Sequence, residues 1–364
     1  MDITNETYLF PYFCYFNLTS KCNLRCKHCF GKYSVQEDSE LSKNELSSLI
    51  DNLVKSHVFF INISGGEVTQ SENFEWFINE LSRRGIHFVL TTNGVFSEKI
   101  REVILKNKEY LIGLKISLDG PDAQSHCYVR LDSNFKKNKN IFTITINNIF
   151  FFKKKGIPIT IATVLHIENI KKMEKFRQLI KKINPTSWFI SPIIPVGRGK
   201  ENKNIKEDYN FYGTDFWEIL EKENKKEKIN TRFIDMPKIE EGSLPAYECP
   251  AGLNFCEIHS DGTMSPCTLC RVCIPKNLIK FENIKNKSIQ EIWEGEPFKK
   301  FRSFMNKGCE GCKNLSKCNK CIPQSFYSFG RGDLPTPFCI KNGNALGLKN
   351  LKEYEIKLNE GIKC

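Results

Sequence analysis

The sequence has no run of the roughly eighteen apolar residues that a membrane-spanning helix needs. The densest apolar stretch, Ile141 to Phe152, is shorter and carries Thr and Asn, so it reads as a buried helix. The amino-terminal segment lacks a basic start, a long apolar core and a small-residue cleavage site, which argues against secretion. No basic stripe interleaved with aromatics marks a nucleic-acid surface. Membrane and nucleic-acid partners are therefore not expected, and a cytoplasmic protein is.

What the chain has in excess is cysteine: 16 in 364 residues. Disulfide frameworks belong to small secreted domains, and this chain is neither small nor signal-bearing. Metal or iron–sulfur ligation in a reducing compartment is the better account. Three of the cysteines stand in Cys22-Asn23-Leu24-Arg25-Cys26-Lys27-His28-Cys29-Phe30, just after the strand-like run Tyr12 to Leu18. Three thiolates leave one iron of a four-iron cluster open for another ligand. A structural zinc site wants four closed ligands, usually from two close cysteine pairs, and no second pair lies nearby.

Strand-like runs at 12–18, 58–63, 86–91, 112–118, 157–165 and 187–194 alternate with helical spacing. Ser42 and Glu45 form a capping box before Leu46, Leu49, Ile50 and Leu53. Phe74, Phe77, Ile78 and Leu81 repeat the pattern before Gly85, and Gly156 closes the helix over 141–155. Such alternation predicts a parallel sheet, with functional groups at the strands' carboxyl ends. The polar clusters obey that rule. Cys22–Cys29 follows the first strand, Gly65-Gly66-Glu67 the second, Thr91-Thr92-Asn93-Gly94 the third and Ser117-Leu118-Asp119-Gly120 the fourth.

Together these motifs resemble the radical S-adenosylmethionine (SAM) enzymes. The resemblance implies a partial (β/α)6 TIM-like barrel over 1–195, followed by a small cysteine-rich iron–sulfur domain. It implies that Cys22, Cys26 and Cys29 hold a [4Fe-4S] cluster whose fourth iron is chelated by S-adenosyl-L-methionine. Phe30 then lies near the adenine, Gly65 and Gly66 let backbone approach the methionine part, and Glu67 accepts from its ammonium. Thr92 and Asn93 belong to the same cofactor site. Ser117 and Asp119 match the position that contacts the ribose, and Arg130, in an irregular 121–140 segment, is a partner for the carboxylate. In such enzymes the reduced cluster cleaves SAM to a 5′-deoxyadenosyl radical that abstracts hydrogen.

A polar connector is expected at 196–245, with solvated charge and one helix around Trp217, Ile219 and Leu220. The segment 246–342 resembles the SPASM extension, and 343–364 is a tail. Asp261-Gly262 reads as the turn of a hairpin delivering Cys267, and Ser288 with Glu291 caps a single helix carrying Ile292, Trp293, Phe298, Phe301 and Phe304. The resemblance gives Cys249, Cys256, Cys267 and Cys321 to one auxiliary [4Fe-4S] cluster and Cys309, Cys312, Cys318 and Cys339 to a second. Zinc ribbons are the alternative for the paired cysteines. The family places three residues, often two of them glycine, between the cysteines matching Cys318 and Cys321, whereas here stand only Asn319 and Lys320. Cys270 and Cys273 are extra; either can replace Cys256 or Cys321. Cys127, Cys270 and Cys273 are also candidate hydrogen donors or substrate-thiol ligands, with inert packing as the default for a buried Cys.

The formal charge of +12 falls to about +7 once one three-thiolate and two four-thiolate clusters are counted, a mild bias towards an acidic partner. SPASM proteins mostly modify peptides, so the expected activity is that of a peptide-modifying maturase forming an oxidative cross-link, thioether or carbon–carbon. Its partners are a peptide or protein with an acidic leader and an external electron donor such as flavodoxin or ferredoxin. A separate leader-recognition protein is also expected, because the 21 residues before Cys22 leave no fused recognition domain. The rivals are a peptide epimerase, a formylglycine-forming sulfatase maturase, a tetrapyrrole-modifying enzyme and a non-catalytic electron carrier. Thr268 stands where the sulfatase group is expected to show an acid. Gly65-Gly66-Glu67 and Ser117-x-Asp119 have no use in a mere carrier.

Overall fold

The computed structural model describes residues 11–33, 40–56, 58, 60–201, 214–233, 249–310, 312, 315, 318–336 and 339. Two compact units emerge. One takes in Tyr12–Ile234 with Ile258–Gly262, the other Met1–Pro11, Asp235–Glu257 and Thr263–Cys364.

The first unit is an α/β barrel segment. Strands β1 (Phe13–Thr19), β2 (Phe60–Gly65), β3 (His87–Thr92), β4 (Leu111–Ser117), β5 (Ile159–Val164) and β6 (Ser187–Ser191) run in sequence order, each parallel to the next. Their Phe16, Ile61, Ile63, Phe88, Leu90, Leu114, Ile116, Ile161 and Ile190 are buried, as parallel strands covered by crossover helices require. Those helices are α1 (Lys43–Lys55), α2 (Phe74–Arg83), α3 (Glu98–Lys106), α4 (Ala123–Val129), α5 (Lys139–Lys154), α6 (Ile167–Ile170) and α7 (Met173–Ile183).

Local chemistry sets the helix limits. Ser42 and Glu45 make the reciprocal capping box of α1, which buries Leu46, Leu49, Ile50 and Leu53. Helix α2 buries Phe74, Phe77, Ile78 and Leu81, each side chain contributing about 2 kcal/mol of apolar burial. Removing the Phe77 ring would cost about 3–5 kcal/mol. Gly85 and Gly156 take positive φ just past α2 and α5, a conformation costly for other residues.

Several expectations need correction. Helix α5 is not buried all round: Ile141, Thr145, Asn148, Ile149 and Phe152 face inward while Thr143 and Asn147 are exposed. Its polar residues are stitches, for Asn148 donates to Gly94 O (2.7 Å) and Thr145 to Asn93 O (3.2 Å). The 121–140 segment is not wholly irregular; Asp122 caps α4 by accepting from Ser125 N at 3.0 Å. Beyond 195 the first unit runs on to Ile234 and takes in the short helix α8 (Arg198–Glu201) and the longer α9 (Thr214–Lys226). A seventh strand, β7 (Thr231–Phe233), extends the sheet parallel to β6 and ties the connector to the barrel.

From residue 249 on, the chain is built from short pieces, of which Ile258–Gly262 belongs to the first unit and the rest to the second. Strands β8 (Phe255–Ile258) and β9 (Met264–Ser265) flank the Asp261-Gly262 turn, where Gly262 has φ of 87° and donates to His259 O at 2.8 Å. Cys267 then stands at the N-cap position of α10 (Thr268–Cys273), without a side-chain capping bond. The single helix expected after Ser288 is two, α11 (Ile289–Trp293) and α12 (Glu296–Arg302). Gly295 interrupts them and Pro297 starts the second, where a missing N–H costs nothing. Trp293, Phe298 and Phe301 form the buried face, with Arg302 over the Trp293 ring at 4.5 Å. Helix α13 (Ile322–Phe329) ends at Gly330, φ 71°. The tail at 343–364 lies outside the described residues.

Candidate active site

The loop after β1 carries three thiols that influence one another electrostatically. Cys22 and Cys26 are buried and Cys29 is half-buried. Burial raises the Cys22 thiol well above its ordinary range, and the neighbouring Cys26, Glu67 and Cys29 raise it further. Cys26 is pushed up to about 11 by burial, with Arg130 and Arg198 pulling it back and Cys29 and Asp119 raising it. Three thiols that repel one another beside two guanidinium groups are a donor set suited to an anionic cluster.

The loop is fixed from several sides. Arg25 N donates to Leu131 O (2.9 Å) and Lys27 N to Val129 O (2.8 Å), laying the loop along the end of α4. Arg198, expected to be solvated, instead donates through Nε to Cys26 O and through a terminal nitrogen to Tyr33 O, both at 2.9 Å. Gly197 has φ of 57°, and a Cβ there would lie 2.2 Å from Phe30 O. Phe30 meets Tyr33 edge-on, ring centroids 5.8 Å apart.

The glycines after β2 serve a close approach. A Cβ on Gly65 would sit 2.4 Å from Thr19 O, and one on Gly66 2.4 Å from Lys21 O. Gly66 N and Glu67 N donate to Thr19 O and Lys21 O, both at 2.8 Å. Glu67 is 2% exposed. Its Oε1 accepts from Thr69 N, Thr69 Oγ1 and Thr92 Oγ1 at 3.3, 2.9 and 2.7 Å, while Oε2 accepts from Asn93 N at 2.7 Å. Burial still raises its carboxyl above the usual range despite these donors. Oε2, with one donor against three on Oε1, keeps a lone pair for a further cation. Asn93 also donates to Asn23 Oδ1 at 2.8 Å, joining the β3 end to the cysteine loop.

Ser117, half-buried, ends β4. Asp119 is buried, and its carboxylate takes Arg130 Nε (2.7 Å) on Oδ2 and Val164 N (2.8 Å) on Oδ1, with His28 Nε2 at 3.8 Å from Oδ2. Burial pushes that carboxyl up, but Arg130 and the histidines His28 and His126 overcome it and hold it at about 2. Arg130 extends from this ion pair to Cys26, with a terminal nitrogen 3.9 Å from Sγ. Sequence reasoning aimed Asp119 and Arg130 at a bound cofactor; in the structure they first bind each other. It also missed the half-buried His28 and the buried His126 and His166 around Asp119. The His126-x3-Arg130 spacing on α4 was the available signal. Cys127 is buried among Cys22, Leu24, Cys26 and Ile141, and its thiol donates to Asn138 O at 3.2 Å.

In the second unit the thiols fall into groups. Burial raises the Cys309 thiol to about 12, Lys320 lowers it, and Cys339, Cys318 and Cys312 raise it. The Cys339 thiol, raised by burial to about 11, is likewise near Cys318 and Cys312. These four are the set the resemblance assigned together. Elsewhere Cys267 and Cys270 have their sulfurs 3.5 Å apart, and Cys321 adds to the repulsion on Cys270, which is buried. Cys270 thus joins the Cys267–Cys321 group. Cys256 lies buried on β8, Cys249 is half-buried, and Cys273 is half-buried at the end of α10.

Residues 16–180 match the family model for the radical SAM superfamily, and 249–322 match the SPASM iron–sulfur cluster-binding domain. The chain belongs to the radical SAM superfamily. It is an enzyme of that class, with a SAM-binding [4Fe-4S] barrel and an auxiliary-cluster domain. It is 27% identical over 350 residues to the AdoMet-dependent heme synthase of Methanosarcina barkeri, covering 89% of this chain and 94% of that one. It is 24% identical to the mycofactocin maturase MftC of Mycolicibacterium smegmatis, covering 91% and 83%. SuiB of Streptococcus suis, solved with S-adenosylmethionine, shares the fold with a TM-score of 0.72 at 17% identity, covering 91% of this chain and 77% of SuiB. The expected α/β barrel followed by a cysteine-rich domain is thus the fold of this radical SAM enzyme. Among the described residues no helix is long and apolar enough to cross a membrane.

Proposed function

We propose that this radical SAM enzyme modifies a peptide or protein oxidatively, forming a thioether or carbon–carbon cross-link. The observation that carries the reading is the presence of two thiol sets: Cys22, Cys26 and Cys29 at the barrel's strand ends, and Cys309, Cys312, Cys318 and Cys339 in the other unit. The first set would hold the cluster that, with SAM, supplies a carbon-centred radical. Four thiols on the second leave no iron open, which suits an electron acceptor rather than a cofactor site. With Cys249, Cys256 or Cys270, Cys267 and Cys321 as a further set, the chain would carry two auxiliary clusters.

The chain's own residues have definite tasks in this reading. Glu67, through the open side of Oε2, receives the ammonium of SAM, and Thr92 and Asn93 hold that carboxylate in place. Arg130, braced by Asp119, keeps positive charge on Cys26 and presents its remaining N–H groups to the SAM carboxylate. Ser117 at the free end of β4 faces the ribose, and Phe30 the adenine. Gly65 and Gly66 bring these strand ends against the cysteine loop.

MftC is a maturase and SuiB has been solved with its precursor peptide SuiA; both support a peptide substrate. The chain's basic balance fits an acidic leader, delivered by the substrate itself or by a separate recognition protein, and a flavodoxin or ferredoxin fits as donor. A second reading, a tetrapyrrole substrate, is favoured by the 27% identity to the heme synthase. The experiment offers the anaerobically reconstituted enzyme short Cys-containing peptides, or an iron porphyrin, and measures 5′-deoxyadenosine. A peptide is expected to stimulate its formation and to lose two hydrogens per bond. Stimulation by the porphyrin alone overturns the peptide reading. A peptide of unchanged composition with one solvent deuterium would indicate epimerisation, with Cys127, Cys270 and Cys273 the donors to replace.

A further inference from the structure

Lys320 stands between Cys318 and Cys321, in the loop that is one residue shorter here than the family resemblance leads one to expect. Its side chain does not reach solvent; the residue is 3% exposed. The ammonium donates to three backbone carbonyls, Lys307 O, Gly332 O at 2.8 Å and Leu334 O at 3.0 Å. An ammonium has three N–H groups, so all are spent on neutral acceptors. Carbonyls satisfy its hydrogen bonds but not its net charge, and an uncompensated buried charge is costly.

No carboxylate accepts from the ammonium among its three hydrogen bonds. Asp333 is already paired with Arg331 through both oxygens, at 2.6 and 2.5 Å. The ammonium holds the carbonyl of Lys307, two residues before Cys309, while its own backbone stands two residues after Cys318, which places the charge beside that thiol set. The position is rigid as well. Gly308, at φ 74°, packs so closely that a Cβ would lie 2.2 Å from Asp333 O, clamping the 307–308 turn against the 332–334 segment that supplies the other two carbonyls.

We infer that Lys320 is the built-in counter-ion of the auxiliary cluster held by Cys309, Cys312, Cys318 and Cys339, and that it raises that cluster's reduction potential. The inference rests on the ligand set proposed above but not on the substrate. A four-thiolate cluster carries net negative charge and gains one more unit on reduction. A fixed cation in a water-poor surround favours the reduced form. The hydrogen bonds to carbonyls leave no N–H for the sulfurs, so the influence acts through space. An electron-accepting role for this cluster is the use such a charge serves.

The test is a potentiometric titration of the full-length, anaerobically reconstituted protein, followed by electron paramagnetic resonance, with iron measured on each sample. Lys320→Met keeps the length and removes the charge; Lys320→Arg keeps the charge. In Lys320→Met one auxiliary potential is expected to fall by about 59 mV or more, a tenfold change for one electron, while Lys320→Arg stays near the parent. Failure of Lys320→Met to load that cluster, with Lys320→Arg loading normally, also supports a counter-ion. Unchanged potentials in fully loaded Lys320→Met overturn the proposal, as does equal iron loss in both variants, which would make Lys320 a packing residue. No substrate enters the measurement, so its outcome is independent of whether a peptide is modified.

Discussion

Gly66→Ala tests whether the glycine pair after β2 exists for backbone contact with the cysteine loop. The added methyl would stand 2.4 Å from Lys21 O and 2.7 Å from Ser20 O, where ordinary contact begins at 3.4 Å. Relief requires the two backbones to part by about 1 Å, which stretches the Gly66 N–Thr19 O and Glu67 N–Lys21 O bonds beyond useful length. Two backbone hydrogen bonds at about 1 kcal/mol each and an overpacking cost of about 1–3 kcal/mol give a loss of about 3–5 kcal/mol. For a unit of this size that lowers Tm by roughly 10 °C. Because Lys21 adjoins Cys22, the displaced loop is expected to lose its own cluster while the auxiliary ones stay, a fall of about four irons in about twelve. Gly85→Ala is the control: its φ of 74° is unfavourable for Ala, but nothing lies within 4 Å. It should cost about 1 kcal/mol and no iron. If Gly66→Ala matched that control in Tm and iron content, the close-approach argument would be refuted.

Replacing Cys22, Cys26 and Cys29 together by Ala should leave about eight irons of about twelve; a parent protein with only about four would remove the two auxiliary clusters. Arg198→Met should lower iron retention in the barrel with Tm little changed, since it removes two donors to the cysteine loop and no apolar packing; unchanged iron release to a chelator would refute that clamp. Asp122→Asn isolates a charge. Burial raises the Asp122 carboxyl, but Ser125, Lys172 and Lys175 outweigh it and hold it well below the ordinary range. Its stabilisation is therefore complete above the unfolded value of about 4 and lost as pH falls through the lower folded one. The parent should lead the variant by about 1 kcal/mol at pH 7, with the gap closing in acid; a gap constant with pH refutes it. Cys339→Ala should keep 5′-deoxyadenosine formation and lose the oxidised product, read by mass spectrometry; full product without that cluster refutes an electron-transfer role.

The parts legible in the sequence are those whose cause is local. Ser42 with Glu45, Gly85 and Gly156 announce helix ends because capping and positive φ act over a few residues. The strand-end clusters were legible because a parallel barrel presents every loop of one kind at the same edge. The Glu67 hydrogen bonds to Thr92 and Asn93 span two such ends, and only the spacing of the strands hinted at them. Arg198 was illegible: its partners Cys26 and Tyr33 precede it by more than 160 positions, and in a lysine-rich stretch it reads as one more solvated charge. Strand β7 has too few residues for a periodicity to register. Thr145 and Asn148 count as interruptions of an apolar run until the loop they hold is known. Lys320 is invisible for the opposite reason, since lysine is the residue least expected inside.

The Arg198 clamp bears on how the protein is made. Cys22, Cys26 and Cys29 leave the ribosome before Arg198, yet the carbonyls of Cys26 and Cys29 both accept from that residue, some 170 codons further on. The site is complete only when the chain has reached that residue, and a chain stopped before it would keep the contacts to Leu131, Val129 and Asn93 but lack this clamp.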